Sequence, residues 1–147
     1  MNFRTARLAA ALALAAGFAI VAHADDDAAL AAAAKESGAS VSATGVVYKS
    51  VKDGAGASPK ATDTVKVNYR GTFTDGKEFD ASRGNPISFP LNRVIPCWTE
   101  GVQKMKVGGK ARLTCPSAVA YGPRGAGNGV IPPNSTLVFE VELLGIN

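Results

Sequence analysis

Histidine is almost missing from this chain, whose 147 residues contain only one, His23. It lies in an N-terminal leader, where basic Arg4 and Arg7 precede an apolar run and Ala22-His23-Ala24 has the form of a signal-peptidase site. The sequence predicts cleavage between Ala24 and Asp25, which leaves a mature protein without histidine. This excludes Ser-His-Asp and Cys-His catalysis, histidine metal sites and imidazole acid–base chemistry.

Long hydrophobic runs are also scarce. The longest, residues 8–21, belongs to the predicted leader, residues 1–24, and is too short and alanine-rich for a convincing membrane span. No cysteine lies near the cleavage site, so we expect no lipid anchor or other stable membrane anchor. The predicted location is the periplasm or the exterior of the cell.

The chain also lacks a large excess of positive over negative charge. The chain has 16 basic and 12 acidic residues, and two of the basic ones lie in the leader. Such a balance gives no support for nucleic-acid binding. The acidic residues Asp75, Glu78 and Asp80 lack calcium-loop spacing, which favours a solvated hairpin with one functional carboxylate over a metal loop. We predict no metal and no cofactor.

Only two cysteines are present, Cys97 and Cys115. An even count in an exported protein favours a disulfide, but spacing cannot place their Cβ atoms within bonding range. Two buried thiols remain the alternative. There is no Cys-x-x-Cys motif, which argues against a thioredoxin-like redox role.

The remaining sequence divides into a lead and one domain. Residues 25–44 are alanine-rich, which predicts a short helical or flexible lead, and residues 45–147 form the domain. Apolar residues alternate with polar ones in residues 65–73, 110–115 and 137–143, which predicts half-buried antiparallel strands, and residues 45–51 favour another. Asp75-Gly76 predicts a tight turn.

One stretch of the domain has helical periodicity. Pro96 suits a first helical turn, Trp98, Val102 and Met105 share one face, and Gly108-Gly109 would end the helix. One short helix against antiparallel strands is an α+β fold.

Aromatic and branched residues stand beside turn signals in an order that resembles a known family. They could simply form the core, but residues 69–72, 75–82, 94–101, 120–122, 131–134 and 137–143 together resemble the FK506-binding-protein (FKBP) family of peptidyl-prolyl cis-trans isomerases. The resemblance implies a curved antiparallel sheet wrapped around one short helix. It also implies a chemistry that needs no nucleophile or metal, because rotating an Xaa-Pro bond requires only stabilisation of a twisted amide.

The resemblance also implies a set of site residues. Trp98 would form the floor under the proline ring, the Ile95 N–H and the Tyr121 hydroxyl would donate to substrate carbonyls, and Asp80 would lie beside the rotating carbonyl, held by Tyr69 and Arg83. The residues implied as catalytic are Tyr69, Phe79, Asp80, Ile95, Trp98, Tyr121 and Phe139. The wider substrate-binding set adds Arg83, Ile87, Phe89, Val94 and Ile131.

Two departures from the family concern ligand preference. The segment from Ser82 to Phe89 is short, with Ile87 where an aromatic often lines the pocket, and the loop from Gly122 to Gly129 lacks a histidine found in some relatives. The implied partners are proline-containing unfolded or exported polypeptides and macrolides of the FK506 and rapamycin type. We expect a monomer. The alternative is a non-enzymatic peptide-binding chaperone module that uses the same pocket.

Overall fold

Seven antiparallel strands, two α-helices and four short 3-10 helices make up the computed structural model, which describes residues 26–147. Residues 26–35 form helix α1, and helix α2 spans Pro96–Val102. The strands are β1 (Ala39–Val41), β2 (Val47–Lys52), β3 (Thr64–Phe73), β4 (Glu78–Ala81), β5 (Ile87–Pro90), β6 (Lys110–Cys115) and β7 (Leu137–Ile146). The predicted α+β class is confirmed.

All strands belong to one sheet, in the order β1-β2-β6-β7-β3-β4, with β5 also paired to β3. The long strands β3 and β7 lie side by side, and their alternation places Val65, Val67, Val141 and Leu143 in the core. Their polar residues face outward. The curved sheet therefore buries one face, and helix α2 packs against that face.

Helix α2 packs its Trp98 and Val102 side chains into the core, where both are buried. Gly101 permits the close approach, because a Cβ there would lie 2.6 Å from a methyl group of Leu113 on β6. The helix ends at Val102, earlier than the expected stop at Gly108-Gly109, because Lys104 N–H and Met105 N–H bond to carbonyls three residues back and tighten the chain into a turn. Met105 is still buried, although it lies outside the helix.

A disulfide joins Cys97, in the first turn of α2, to Cys115, at the end of β6. Their Cα atoms are 5.8 Å apart, and both residues are fully buried. Of the two alternatives that the sequence left open, the structure has the bridge. It attaches the start of the helix to the sheet beside Trp98.

The lead contacts the domain at several points. Strand β1 pairs with β2, so the sheet starts before residue 45. Asp26 accepts hydrogen bonds from the Thr74 hydroxyl at 2.8 Å and from the Thr136 N–H at 3.2 Å, and Glu36 forms ion pairs with Lys49 and Arg112. Asp26, Glu36 and strand β1 thus attach the lead to the rest of the domain.

The predicted leader, residues 1–24, and its cleavage site before Asp25 lie outside the described residues. Within residues 26–147, neither helix has the length and apolar character needed to cross a membrane.

Candidate functional site

Trp98 forms the floor of an aromatic cavity of about 290 Å³. Only 4% of the residue is exposed. The rings of Tyr69, Phe89 and Phe139 meet it edge to face, with centroids 5.3, 5.6 and 5.5 Å from its own. This edge-to-face arrangement is a favourable geometry for aromatic pairs and fixes the indole plane.

The walls come from parts of the chain that are distant in sequence. Strands β3, β4, β5 and β7 contribute aromatic side chains, and the segment before α2 contributes aliphatic ones. The cavity is lined by Tyr69, Phe79, Asp80, Phe89, Arg93, Val94, Ile95, Trp98, Tyr121 and Phe139. Most of these side chains are apolar, so a ligand that enters the cavity loses much of its hydration.

Gly71 makes room for two of the wall residues. It pairs with Phe139 of β7 in the sheet register, and a Cβ at this position would lie 2.6 Å from Phe79 and 2.9 Å from Phe139. The two phenyl rings pack edge to face at 5.7 Å over this gap. A side chain at position 71 would therefore push the wall inward or apart.

A carboxylate and two phenols provide the polar side of the cavity. The Tyr69 hydroxyl donates to Asp80 Oδ2 at 2.7 Å, and the Ala81 N–H donates to Asp80 Oδ1 at 2.9 Å. Burial, with the hydrogen bond and charge of Asp80, raises the pKa of Tyr69 to about 12. Burial and the Asp80 charge also raise the pKa of Tyr121. Both phenols therefore remain hydrogen-bond donors at neutral pH.

The backbone at Ile95 supplies another donor to the cavity. Its carbonyl accepts the Trp98 N–H at 2.9 Å, which anchors the start of α2. Its own N–H has no acceptor among residues 26–147. The group is thus available to a ligand carbonyl at the edge of the Trp98 floor.

Three residues of the implied set do not line the cavity. Arg83 does not hold Asp80 as expected: it donates to Glu78 Oε2 at 3.0 Å, because Glu78 pairs with Arg70 through Oε1 and leaves its second oxygen to Arg83. Ile87 lies on β5 and is 37% exposed. Ile131 is buried in the core, and its backbone pairs with Ala126.

Sequence reasoning missed Arg93 as a lining residue and Gly71 as the space behind the wall. A charged residue directly before the apolar pair Val94-Ile95 was the available signal for Arg93. Gly71 carried none, because the contacts that require a glycine come from β4 and β7.

Known proteins share this fold and this order of residues. The family model of the FKBP-type peptidyl-prolyl cis-trans isomerase matches residues 56–144. FkpA of Aeromonas hydrophila, an FKBP-type peptidyl-prolyl cis-trans isomerase, is 57% identical over 119 residues, which cover 80% of this chain and 44% of that protein. FK506-binding protein 1 of Saccharomyces cerevisiae is 50% identical over 102 residues, which cover 66% of this chain and 89% of the yeast protein.

A solved structure agrees with these matches. The crystal structure of FkpA from Escherichia coli superposes with a TM-score of 0.82 at 48% identity, covering 99% of this chain and 68% of that one. The chain spans less than half the length of the FkpA sequences that it matches, 44% and 42% in two of them. Fold, cavity and sequence agree, and the chain belongs to the FKBP-type peptidyl-prolyl cis-trans isomerase family.

Proposed function

We propose that this protein is a peptidyl-prolyl cis-trans isomerase that accelerates rotation about Xaa-Pro bonds. The observation that carries the proposal is the cavity over Trp98, which is bordered by the rings of Tyr69, Phe89 and Phe139. It has the size and apolar lining to accept a proline ring, and the Ile95 N–H and the Tyr121 hydroxyl are available as donors to peptide carbonyls.

The chemistry follows from the electronic structure of the amide. Rotation out of plane breaks amide resonance, with an uncatalysed barrier of about 20 kcal/mol. The twisted amide has less charge separation between oxygen and nitrogen than the planar one. An apolar cavity therefore disfavours the planar ground state more than the transition state, which lowers the barrier.

Each of the main groups that line the cavity has a role in this proposal. Trp98 supports the proline ring, while Phe79, Val94 and Phe139 exclude water from its sides. The Ile95 N–H and the Tyr121 hydroxyl position the peptide by donating to its carbonyls. Asp80, oriented by Tyr69 and Ala81, lies beside the rotating carbonyl and favours its departure from the plane.

The proposed substrates are proline-containing polypeptides that fold after export. The leader supports this, since cleavage after Ala24 would release the protein into the periplasm or the exterior, where newly exported chains fold. Macrolides of the FK506 type are proposed inhibitors, because they would compete for the same cavity. We propose a monomer, which gel filtration of the protein tests.

The test is the cis-to-trans rate of a short Leu-Pro or Phe-Pro peptide with catalytic amounts of the protein beginning at Asp25. We expect acceleration that an FK506-type macrolide abolishes. Absence of acceleration by protein with a folded circular dichroism spectrum would contradict the proposal.

Two variants separate turnover from binding. Asp80→Leu and Tyr121→Phe should each lower kcat/KM more than they weaken peptide binding, since both groups act on the rotating amide or its neighbours. Binding can be followed by the fluorescence of Trp98, the only tryptophan in the chain. Equal losses in turnover and binding would mean that the two groups only hold the peptide.

A further inference from the structure

Arg93 lies at the rim of the Trp98 cavity on a firmly held piece of backbone. It is the last residue of a 3-10 turn, Leu91–Arg93, directly before Val94 and Ile95. Leu91 is fully buried, and its carbonyl accepts the Thr99 hydroxyl at 2.6 Å. The turn is thus attached to α2, and the Arg93 side chain starts from a fixed position two residues before Ile95 along the chain.

The guanidinium of Arg93 is not neutralised by the described part of the protein. The ion pairs of residues 26–147 engage Arg70, Arg83, Lys49 and Arg112, and none includes Arg93, which is exposed. Asp80 lines the same cavity, but its oxygens accept hydrogen bonds from Tyr69 and Ala81. Arg93 therefore borders the site with hydrogen-bond donors that no carboxylate of residues 26–147 uses.

The surroundings strengthen any charge interaction made there. Most of the lining is aromatic or aliphatic, and a bound peptide would displace further water. Coulomb interactions grow as the effective dielectric falls, and a guanidinium can bind a carboxylate through two parallel hydrogen bonds. An acidic side chain held near Arg93 would meet these conditions.

We propose that Arg93 is a specificity-determining residue that selects prolines with an acidic side chain among the flanking residues. The inference rests on the proposed isomerase function and names a substrate class for the same site. Glutamate or aspartate next to the Xaa-Pro pair would bind the guanidinium while proline occupies the floor.

The preference is confined to one side of the bound peptide. An open groove adjoins the cavity at Val94, and it is lined by Glu100 together with Thr99 and Gln103. Glu100 accepts the Thr44 hydroxyl at 2.6 Å, and hydrogen bonds to Ser42 and Thr44 lower its pKa. An acidic residue directed into this groove would face a like charge, so the favourable position is the one nearest Arg93.

The test uses sets of proline peptides that are identical except for Glu, Gln or Lys at one flanking position, scanned across the residues on both sides. At low ionic strength we expect kcat/KM for Glu to exceed that for Gln by about threefold to fivefold at one position, the size of a partly exposed ion pair. In Arg93→Gln, the Glu-to-Gln ratio of kcat/KM should fall towards one. In Arg93→Glu, the Lys peptide should become the preferred one. High salt should reduce the Glu-to-Gln ratio in the unaltered protein.

Lys106→Gln and Lys106→Glu are the matched controls, because they change net charge equally at an exposed position that does not line the cavity. The proposal is overturned if the Arg93 variants keep the Glu preference, or if the Lys106 variants shift it as much. If no peptide is isomerised, the proposed function fails. The same Glu-to-Gln comparison by Trp98 fluorescence binding then still tests the role of Arg93, and a ratio of one at every position rejects it.

Discussion

At the scale of single residues, the hydrogen bond from Tyr69 to Asp80 gives the site a titration that can be measured. The folded protein holds the Tyr69 proton to about pH 12, whereas an unperturbed phenol has a pKa of 10.0. Above pH 10 the unfolded chain therefore binds fewer protons at this residue, and stability from Tyr69 falls as pH rises from about 10 to 12. Below pH 10 that contribution is fully present.

We predict that Tyr69→Phe removes a phenol that ionises at about pH 12. In the unaltered protein, ultraviolet absorbance should show a tyrosine ionisation step at about pH 12, and this step should be missing in the variant. The loss of the hydrogen bond should also lower kcat/KM for proline peptides. Circular dichroism at each pH verifies that the protein is folded, and an unchanged step at about pH 12 in the variant would contradict the assignment.

Gly71 gives a second prediction at this scale. In Gly71→Ala, the new methyl group would overlap Phe79 and Phe139, so we expect a loss of about 1 to 3 kcal/mol in unfolding free energy and a lower kcat/KM. Urea denaturation and the peptide assay measure the two effects. Gly145→Ala is the control, since a Cβ there meets nothing within 4 Å. Equal effects of the two substitutions would show that the contacts behind the wall do not matter.

At the scale of elements, the bridge between α2 and β6 holds the Trp98 floor against the sheet. Cross-linking residues 18 positions apart stabilises a fold by about 3 kcal/mol in the chain-entropy model. We predict that reduction lowers the unfolding free energy by about this amount and weakens macrolide binding at temperatures where the oxidised protein is intact. The unfolding free energy of a Cys97→Ala/Cys115→Ala protein should not change with reductant. If the oxidised protein has the same unfolding free energy as this variant, the prediction is refuted.

At the scale of the whole molecule, Asp26 joins the lead to residues far along the chain. Its carboxylate accepts hydrogen bonds from Thr74 and from the N–H of Thr136, a residue that is 5% exposed. Leaving a buried N–H without its partner costs about 1 to 3 kcal/mol. We predict such a loss in urea denaturation of Asp26→Ala.

The neighbouring residue provides the comparison for this measurement. The Asp27 side chain is exposed and makes no hydrogen bond to another residue of the range 26–147, so Asp27→Ala should change the unfolding free energy by only a few tenths of a kcal/mol. If both substitutions have the same effect, the lead does not contribute through Asp26.

The features that the sequence determined by itself are those that depend on neighbouring residues. Alternation in β3, β6 and β7 is a local property, and it predicted that residues such as Val65 and Leu143 are buried. The order of the family segments predicted the fold and placed Trp98 at the floor of the cavity. Such a pattern can be recognised from the sequence alone, because strand pairing and burial both favour the two-residue periodicity of a half-buried strand.

Tertiary structure decided the features that depend on distance between segments. Strands β1 and β5 are short and largely exposed, so only their partners β2 and β3 define them. Whether Cys97 meets Cys115, whether Arg83 pairs with Asp80 or Glu78, and whether Arg93 reaches the cavity all depend on side chains that converge from different strands and turns. Spacing along the chain does not contain these distances, because the curvature of the sheet sets them.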